Sequence, residues 1–448
     1  MEETLIKTKT LLRTITIVAA GLIACLLGTA AQGATVIVGT CKPGVQYPTI
    51  SAAVAGAPAG STIDVCPGTY TEQVVITKNF TIIGITVGTA DSAVLLPPSG
   101  GLVTNGADIF GNPVAPQIFV QNAAVTISHL TVDGTGNNLA GCGAPTLEGI
   151  YYQNSSGTIT DNVVRNQYQS DLADFGGCQN GLAINVESLT DNSTVTISNN
   201  FVQSYQKNGI TATGASTGSS GPGPSVTIMS NYIVGLGANA LNWGAAAPAA
   251  ENGIQFGFGA SGKITGNIVI DDIWPPDTSS QPGNAASGIL VYASAGISVL
   301  NNDVGSTQFG IVAITDPTFG PADGTIITGN KVTGTQIFDA IDLCSNGDTT
   351  TGNFLFGNTE SGIHADSSCG GTGTGETIKG NTISGSCAGV LNGGGGAIGA
   401  NTYFNVTNTI LSGDTCPAVG GGPDAVKAGS SNKRQSKARP SPYMPAKK

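Results

Sequence analysis

Apolar and polar residues alternate along this chain in short bursts, and the bursts repeat. One has the form apolar-x-x-Asn-x-apolar. It occurs at 159–164 around Asn162, 197–202 around Asn200 and 228–233 around Asn231. It returns around Asn267, Asn302, Asn330 and Asn381, with Asn353 as a looser copy. The second burst is a Gly followed by Ile, Leu or Val, and it falls between copies of the first. Its copies are Gly149-Ile150, Gly181-Leu182, Gly209-Ile210, Gly253-Ile254, Gly288-Ile289, Gly310-Ile311, Gly362-Ile363 and Gly389-Val390, with Ala340-Ile341 in the remaining slot. The Asn-centred copies recur every 23 to 38 residues, as Asn330 to Asn353 and Asn162 to Asn200 show.

This spacing predicts at least two short strands per repeat, separated by Gly, Asn and Ser turns. A repeat of strands without a helix can bury its apolar side only by coiling and stacking on its copies. Stacked coils run parallel, and parallel crossovers are right-handed. The predicted architecture is therefore all-β, a single-stranded right-handed parallel β-helix. The repeated Asn is expected to take left-handed backbone angles at a turn and to bond its neighbours as a ladder. Variable repeat length places insertions in loops, as at 214–224 and 273–285. At the N-terminal end, residues 47–57 space their apolar positions as a short amphipathic capping helix does. Such a cover suits the first coil, whose strands lie in 62–70, 74–76 and 80–84.

Three segments carry a family resemblance. Tyr47-Pro-Thr-Ile-Ser-Ala-Ala-Val54, Pro67-Gly-Thr-Tyr-Thr-Glu72 and Val75-Ile76 with Ile82-Ile83-Gly84 resemble the opening of pectin-lyase-like β-helix proteins. Pectin methylesterases and many exported β-helix proteins share that opening. The Asn-centred repeats are similar to the generic repeats of the same superfamily, which includes carbohydrate-binding and sugar-hydrolase types. The resemblance spans most of residues 36–410. It implies the fold and a polysaccharide partner, and it carries no activity motif across. Ala107-Asp108-Ile109-Phe110-Gly111 is similar to one Asp motif of the methylesterases, but the matching Gln and Arg are missing. Arg165 is the only Arg of the body and lacks the pectate-lyase motif. Asp271-Asp272 matches one polygalacturonase element without the other two, and the Asp-Pro-His-Asp of alginate epimerases is absent.

Composition fits this reading and narrows it. Of 448 residues 66 are Gly, 40% are hydrophobic and only 10% are charged, which is too apolar for a disordered chain. Residues 34–419 carry seven basic and 25 acidic residues, a net −18. Such a body excludes nucleic acid as a partner and opposes polyanionic glycans unless a cation intervenes. The expected domains are a signal peptide at 1–33, the β-helix at 34–419 and a basic, disordered tail at 420–448. Lys7, Lys9 and Arg13 precede an apolar run at 15–27 and small residues at 28–34. The run is shorter than the roughly 20 residues that span a bilayer, so no transmembrane segment is expected in the mature chain. Leu22-Ile23-Ala24-Cys25 resembles a lipoprotein processing box and offers anchoring at Cys25 as an alternative. The protein is expected to be monomeric and secreted, or held in the periplasm or cell envelope.

Eight cysteines remain beyond the signal: Cys41, Cys66, Cys142, Cys178, Cys344, Cys369, Cys387 and Cys416. An even count in an exported chain suggests disulfides. Pairing sequence neighbours closes gaps of 25, 36, 25 and 29 residues, each about one repeat, so each bridge would staple adjacent coils.

Aligning the Gly-Ile strands yields the candidate chemistry. The residue after the apolar anchor points outward, and that column reads Tyr151, Ala183, Thr211, Gln255, Leu290, Val312, Asp342, His364 and Leu391. Asp342 and His364 then sit on adjacent coils, about 4.8 Å apart. Asp339 lies in the turn before, and Asp366 on the same face as His364. Crowded carboxylates can hold one member protonated as a general acid, the basis of glycoside hydrolysis. The same group could instead be an ordinary surface pair at a β-helix turn, or bind Ca²⁺ through its oxygens. No cofactor is required. Trp274, Tyr151 and Tyr292 are candidate sugar-stacking residues, with ordinary packing as the alternative. His129 reads as a structural turn residue, and Asp171 and Asp174 as surface partners of Arg165. Two functions stay open: a hydrolase of neutral or weakly charged polysaccharide, and a non-catalytic glycan-binding or structural envelope protein.

Overall fold

The computed structural model describes residues 33–87, 91–170, 180–190, 193–215, 223–237, 251–273, 286–335 and 338–416. The expected signal peptide, Cys25 and the expected disordered tail lie outside them. Successive coils each give one strand to three long parallel sheets of 14, 12 and 13 strands. One coil shows the pattern. Ser261–Thr265 lies in the first sheet, Ile268–Ile270 in the second and Ser287–Tyr292 in the third, and Ser298–Leu300 returns to the first. Among the described residues only Gly106–Ala107 with Pro113–Gln121, and the isolated bridge between Asp316 and Gly320, pair antiparallel. The chain is a right-handed parallel β-helix, as its repeats predict.

The interior is built by stacking like on like. In the first sheet Ile82, Ile127, Ile159, Ile197, Ile228, Ile264, Val299 and Ile327 follow one another in unbroken register, all buried. Burying each such side chain contributes about 1.5–3 kcal/mol against a large conformational-entropy cost. Thr350 continues the column before Ile378 resumes it.

The turn from the first sheet to the second is two residues long in every coil from His129-Leu130 to Gly380-Asn381. Its first residue is left-handed: φ is 56° at Asp161, 55° at Asn199, 54° at Ser230, 64° at Gly266 and 53° at Asn301. Its second residue is Leu130 in the first of these coils and the ladder Asn from Asn162 onward. Left-handed geometry thus belongs to the residue before the Asn, which corrects the expectation above. The small, polar or Gly residues found there tolerate that region best. His129, at φ 57°, occupies the same slot ahead of Leu130 and is structural.

The ladder itself runs Asn162, Asn200, Asn231, Asn267, Asn302, Asn330, Asn353, Asn381 and Asn401. Each Nδ2 donates to the next Oδ1 at 2.9–3.1 Å. Each Oδ1 also accepts the backbone N–H of the preceding Asn, as Asn302 does from Asn267 at 2.9 Å. Asn353 is a full member, and Asn401 extends the series by one rung.

The N-terminal cover is helix α1, Ile50–Gly56. Thr49 caps it by accepting from the Ala52 N–H, and the Glu72 carboxylate takes the N–H groups of Ile50 and Ser51 at 2.8 Å each. Ile50, Ala53 and Val54 face the first coil. Cys41–Cys66, Cys344–Cys369 and Cys387–Cys416 form disulfides with Cα separations of 5.6, 5.6 and 6.3 Å. Cys142 is also disulfide-bonded, and Cys178 lies outside the described residues.

Candidate functional site on the third sheet

From Thr146–Gln153 to Ala388–Asn392, each coil carries a Gly or Ala where its third-sheet strand bends against the second sheet. A Cβ at Gly253 would lie 2.2 Å from Val269 Cγ1, and one at Gly310 would lie 2.4 Å from Val332 Cγ1. The next residue is the inward Ile, and the one after it points outward. The outward column in register is Tyr151, Asn185, Thr211, Gln255, Leu290, Val312, Asp342, His364 and Leu391. One member differs from expectation. Ala183, not Gly181, fills the bend position, so Asn185 faces outward and Ala183 joins the core. Two flanking columns share this face. One holds Glu148, Leu182, Asn208, Asn252, Ser287 and Phe309; the other holds Gln153, Glu187, Thr213, Gly257, Tyr292 and Ile314.

Three zones follow one another along this face. The first, over the coils from Glu148 to Ser287, is polar. The Asn185 amide donates to Glu148 Oε1 at 2.7 Å and to Glu187 Oε1 at 3.1 Å. Glu187 Oε2 accepts the Tyr151 hydroxyl at 2.5 Å and the Ile109 N–H at 3.3 Å. Asn208 bridges Thr211 and Gln255 at 2.9 and 3.0 Å. Burial, then the nearby charges of Glu187 and Asp108, push the Glu148 carboxyl well above its ordinary range. Among the described residues, Glu148 Oε2, Thr213 Oγ1, Gln255 Nε2 and Ser287 Oγ are buried and have no hydrogen-bond partner. The second zone is apolar, with Phe258, Tyr292, Phe309, Val312 and Ile314 packed together with Phe319 and Phe338.

The third zone is the Asp/His cluster, and the fold does assemble it. Asp342 and His364 are register partners. His364 Nδ1 lies 3.2 Å from Asp339 Oδ2, and its Nε2 lies 3.4 Å from Asp414 Oδ1 and 4.0 Å from Asp366 Oδ1. Burial works against charge on His364, but the Asp339 carboxylate, backed by Asp414 and Asp342, outweighs it and lifts the imidazole well above its usual range. The hydrogen bond from His364 draws Asp414 down to about 2. Here the structure corrects the sequence reading. The cluster is not an exposed face: Asp339, Asp342 and Asp366 are 0% exposed and His364 is 2%. Segments joining the third sheet to its neighbours fold back over it, and Asp414 closes the end, held by the Ser367 N–H and hydroxyl. Asp414 follows the last recognised repeat, so no periodic signal marked it.

The aromatic candidates are corrected too. Tyr151 is fully buried, stacked on Phe119 with centroids 5.0 Å apart and bonded to Glu187. Tyr292 is 4% exposed and spends its hydroxyl on Asp316. Neither offers a free ring face to a sugar. Trp274, Asp171 and Asp174 lie outside the described residues. Arg165, on the second sheet, pairs with Asp91 and Asp133 at 2.6 and 2.7 Å. Asp108 spends its carboxylate on its own turn, through the N–H groups of Phe110 and Asn112 and the Asn112 amide. Asp272 points inward, where it accepts the Tyr205 hydroxyl at 2.5 Å.

Ligand atoms of Asp339, Asp342 and His364, and of His364, Asp366 and Asp414, lie close enough together to hold a metal. Ca²⁺ takes six to eight oxygens, whereas a protonated His364 sits among these carboxylates and opposes a second cation. A metal there requires His364 to lose its proton. The Cys344–Cys369 disulfide removes two thiolates from the neighbouring group with Asp366.

The chain matches no family model and no curated protein sequence. Among solved structures it is similar to the GH136 lacto-N-biosidase of Eubacterium ramulus. The selenomethionine derivative of that protein aligns with TM-score 0.54 at 10% identity, covering 85% of this chain and 67% of that one. The native form aligns with TM-score 0.54 at 11% identity, covering 85% and 68%. At that identity the likeness is one of fold. Fold and repeat together define a right-handed parallel β-helix.

Proposed function

We propose that this chain is an exported carbohydrate-active protein that takes a glycan along the outer face of its third sheet. The observation that supports it is the polar zone. Thr213 Oγ1, Gln255 Nε2 and Ser287 Oγ lie on successive coils of one face, fully buried and unpaired. Leaving such groups unmatched costs about 1–3 kcal/mol each, and the hydroxyls of a sugar satisfy donors and acceptors alike. The outward columns named above carry no Lys or Arg, and the body is strongly acidic, so a neutral glycan fits better than a polyanionic one. The disulfides agree with an oxidising compartment, and among the described residues no helix is long and apolar enough to cross a membrane. The lacto-N-biosidase of similar fold acts on carbohydrate, which is consistent with this reading.

A second reading places hydrolysis at Asp339, Asp342, His364 and Asp366, favoured by the Asp342–His364 register. The test is a panel of plant and microbial polysaccharides, with and without calcium. It reads binding on an array, reducing ends for hydrolysis and unsaturated products for elimination. Binding of a neutral glycan that weakens in Thr213→Val, which removes only an unpaired hydroxyl, without loss of thermal stability is the expected result. Absence of binding and turnover across the panel defeats the proposal.

A further inference from the structure

The polar zone holds two carboxyl groups whose surroundings differ. Glu148 and Glu187 sit on adjacent coils, and each offers its Oε1 to the single Asn185 amide nitrogen, at 2.7 and 3.1 Å. Two oxygens that share one nitrogen at those distances lie no more than about 6 Å apart, close to the spacing of retaining glycosidases rather than inverting ones. Three donors converge on Glu187: the Tyr151 hydroxyl, the Ile109 N–H and the Asn185 amide. Such a set holds the Glu187 carboxyl in one orientation. Among the described residues Glu148 has one donor only and an Oε2 without a partner, and its burial, then the charge of Glu187, raise its carboxyl well above the usual range. An independent feature points to a ligand at the same place. Thr213, the register partner of Glu187 on the next coil, has a fully buried and unpartnered Oγ1, and Gln255 Nε2 one coil further is unpartnered as well.

We infer that Glu148 and Glu187, bridged by Asn185, form a glycoside-cleaving acid pair acting on a neutral glycan that lies across Thr213 and Gln255. The inference rests on the glycan reading of this face. In the first step Glu148 gives its proton to the glycosidic oxygen as the C1–O bond breaks, and the leaving sugar departs as an alcohol. Glu187 Oε1 forms a bond to C1. In the second step water attacks C1 and yields its proton to the Glu148 carboxylate. The Glu187–C1 bond breaks, and its electron pair returns to Glu187. One water is consumed and both side chains are restored. Tyr151 is a positioning residue, acting through Glu187. The cover over the pair is the hairpin of Gly106–Ala107 on Pro113–Gln121, tied down by the Ile109 N–H and by the Gln153 amide on Ala107 O at 2.7 Å. With this cover in place the pair is closed to solvent, so the inference requires the hairpin to open.

The experiment uses the mature protein, the polysaccharide panel above and dinitrophenyl 2-deoxy-2-fluoroglycosides of the common neutral hexoses and xylose. The expected result is a covalent adduct on Glu187, located by peptide mass spectrometry. Glu187→Gln should abolish turnover. Glu148→Gln should lower it by about 10²–10⁴ on polysaccharide and far less on dinitrophenyl glycosides, whose leaving group needs no acid. Should either variant fail to fold, the adduct and Tyr151→Phe decide, the latter through a shifted pH profile in protein whose native circular dichroism is retained. Turnover retained in both Glu variants, or abolished by Asp342→Asn while both Glu variants keep it, overturns the inference. Glycan binding by the wild type without any hydrolysis also overturns it and leaves the binding reading standing. Loss of both binding and turnover removes the binding reading itself.

Discussion

Replacing Asn302 with Ala tests whether the ladder is a spine or an ornament. Asn302 sits mid-array and fully inside. Its Nδ2 donates to Asn330 Oδ1 at 3.0 Å and to the Ile264 carbonyl at 3.1 Å. Its Oδ1 accepts the Asn267 N–H and Nδ2, each at 2.9 Å. Truncation removes all four bonds. Asn267 Nδ2 keeps the Ile228 and Thr265 carbonyls, but the Asn267 backbone N–H is left buried with nothing to bond. An orphaned buried N–H costs about 1–3 kcal/mol, and each lost net bond about 0.5–1.5 kcal/mol. With the small void added, the expected loss is about 3–5 kcal/mol. Asn401→Ala, at the last and partly open rung, should cost about 1–2 kcal/mol by the same reasoning. Asn302→Asp keeps the acceptor for Asn267 but sets carboxylate oxygen against Asn330 Oδ1 and the Ile264 carbonyl. At neutral pH it should be at least as damaging as Ala. Guanidinium unfolding followed by circular dichroism measures all three. Equal losses at Asn302 and Asn401, or a loss below about 1 kcal/mol at Asn302, would refute the argument.

Further outcomes are expected. Thr350 stands fully buried in the first-sheet aliphatic column with its Oγ1 unpaired, so Thr350→Val should raise stability by about 1–2 kcal/mol, and a fall in unfolding midpoint contradicts this. Burial, then mutual repulsion, pushes Glu376 up to about 9, and burial chiefly lifts Asp348 to about 7. Both values lie above those of the unfolded chain, so the folded state holds extra protons. The stability they contribute is complete below about pH 4 and is lost as pH rises through 7 to 9. Melting temperature should therefore fall across that window, and Asp348→Asn with Glu376→Gln should flatten the curve; a flat wild-type curve refutes it. Thiol titration of denatured, unreduced mature protein should find none of Cys41, Cys66, Cys344, Cys369, Cys387 and Cys416 free.

Repetition made the fold legible. A strand that must match its copies above and below repeats its inward residues, so Ile159, Ile197 and Ile228 announce a column before any coordinates exist. The same logic found the Asn ladder and brought Asp342 beside His364. It failed where one coil departs from its copies. Gly181-Leu182 imitates the bend signal two residues too early, which hid Asn185 and with it the Glu148–Glu187 pair. It also failed on exposure. Alternation along a strand says which side chains leave the coil, not whether another segment lies over them, so Tyr151, Tyr292 and His364 were read as open. Contacts such as Asp414 with His364 join positions 50 residues apart without any period, and nothing in the local pattern encodes them.

The two-residue turn of the ladder has a consequence for how such a chain can change over generations. From His129 to Asn381 it never lengthens, because a third residue would slide one carboxamide out of line with the next. The segments leading into and out of the third sheet obey no such limit and range from two to 17 residues. Insertions and deletions are thus filtered by position: lethal along one edge of the solenoid, tolerated along the borders of the face that carries Glu148, Glu187 and His364. A lineage built on this plan can rewrite the borders of that face while the frame that holds it is inherited unaltered.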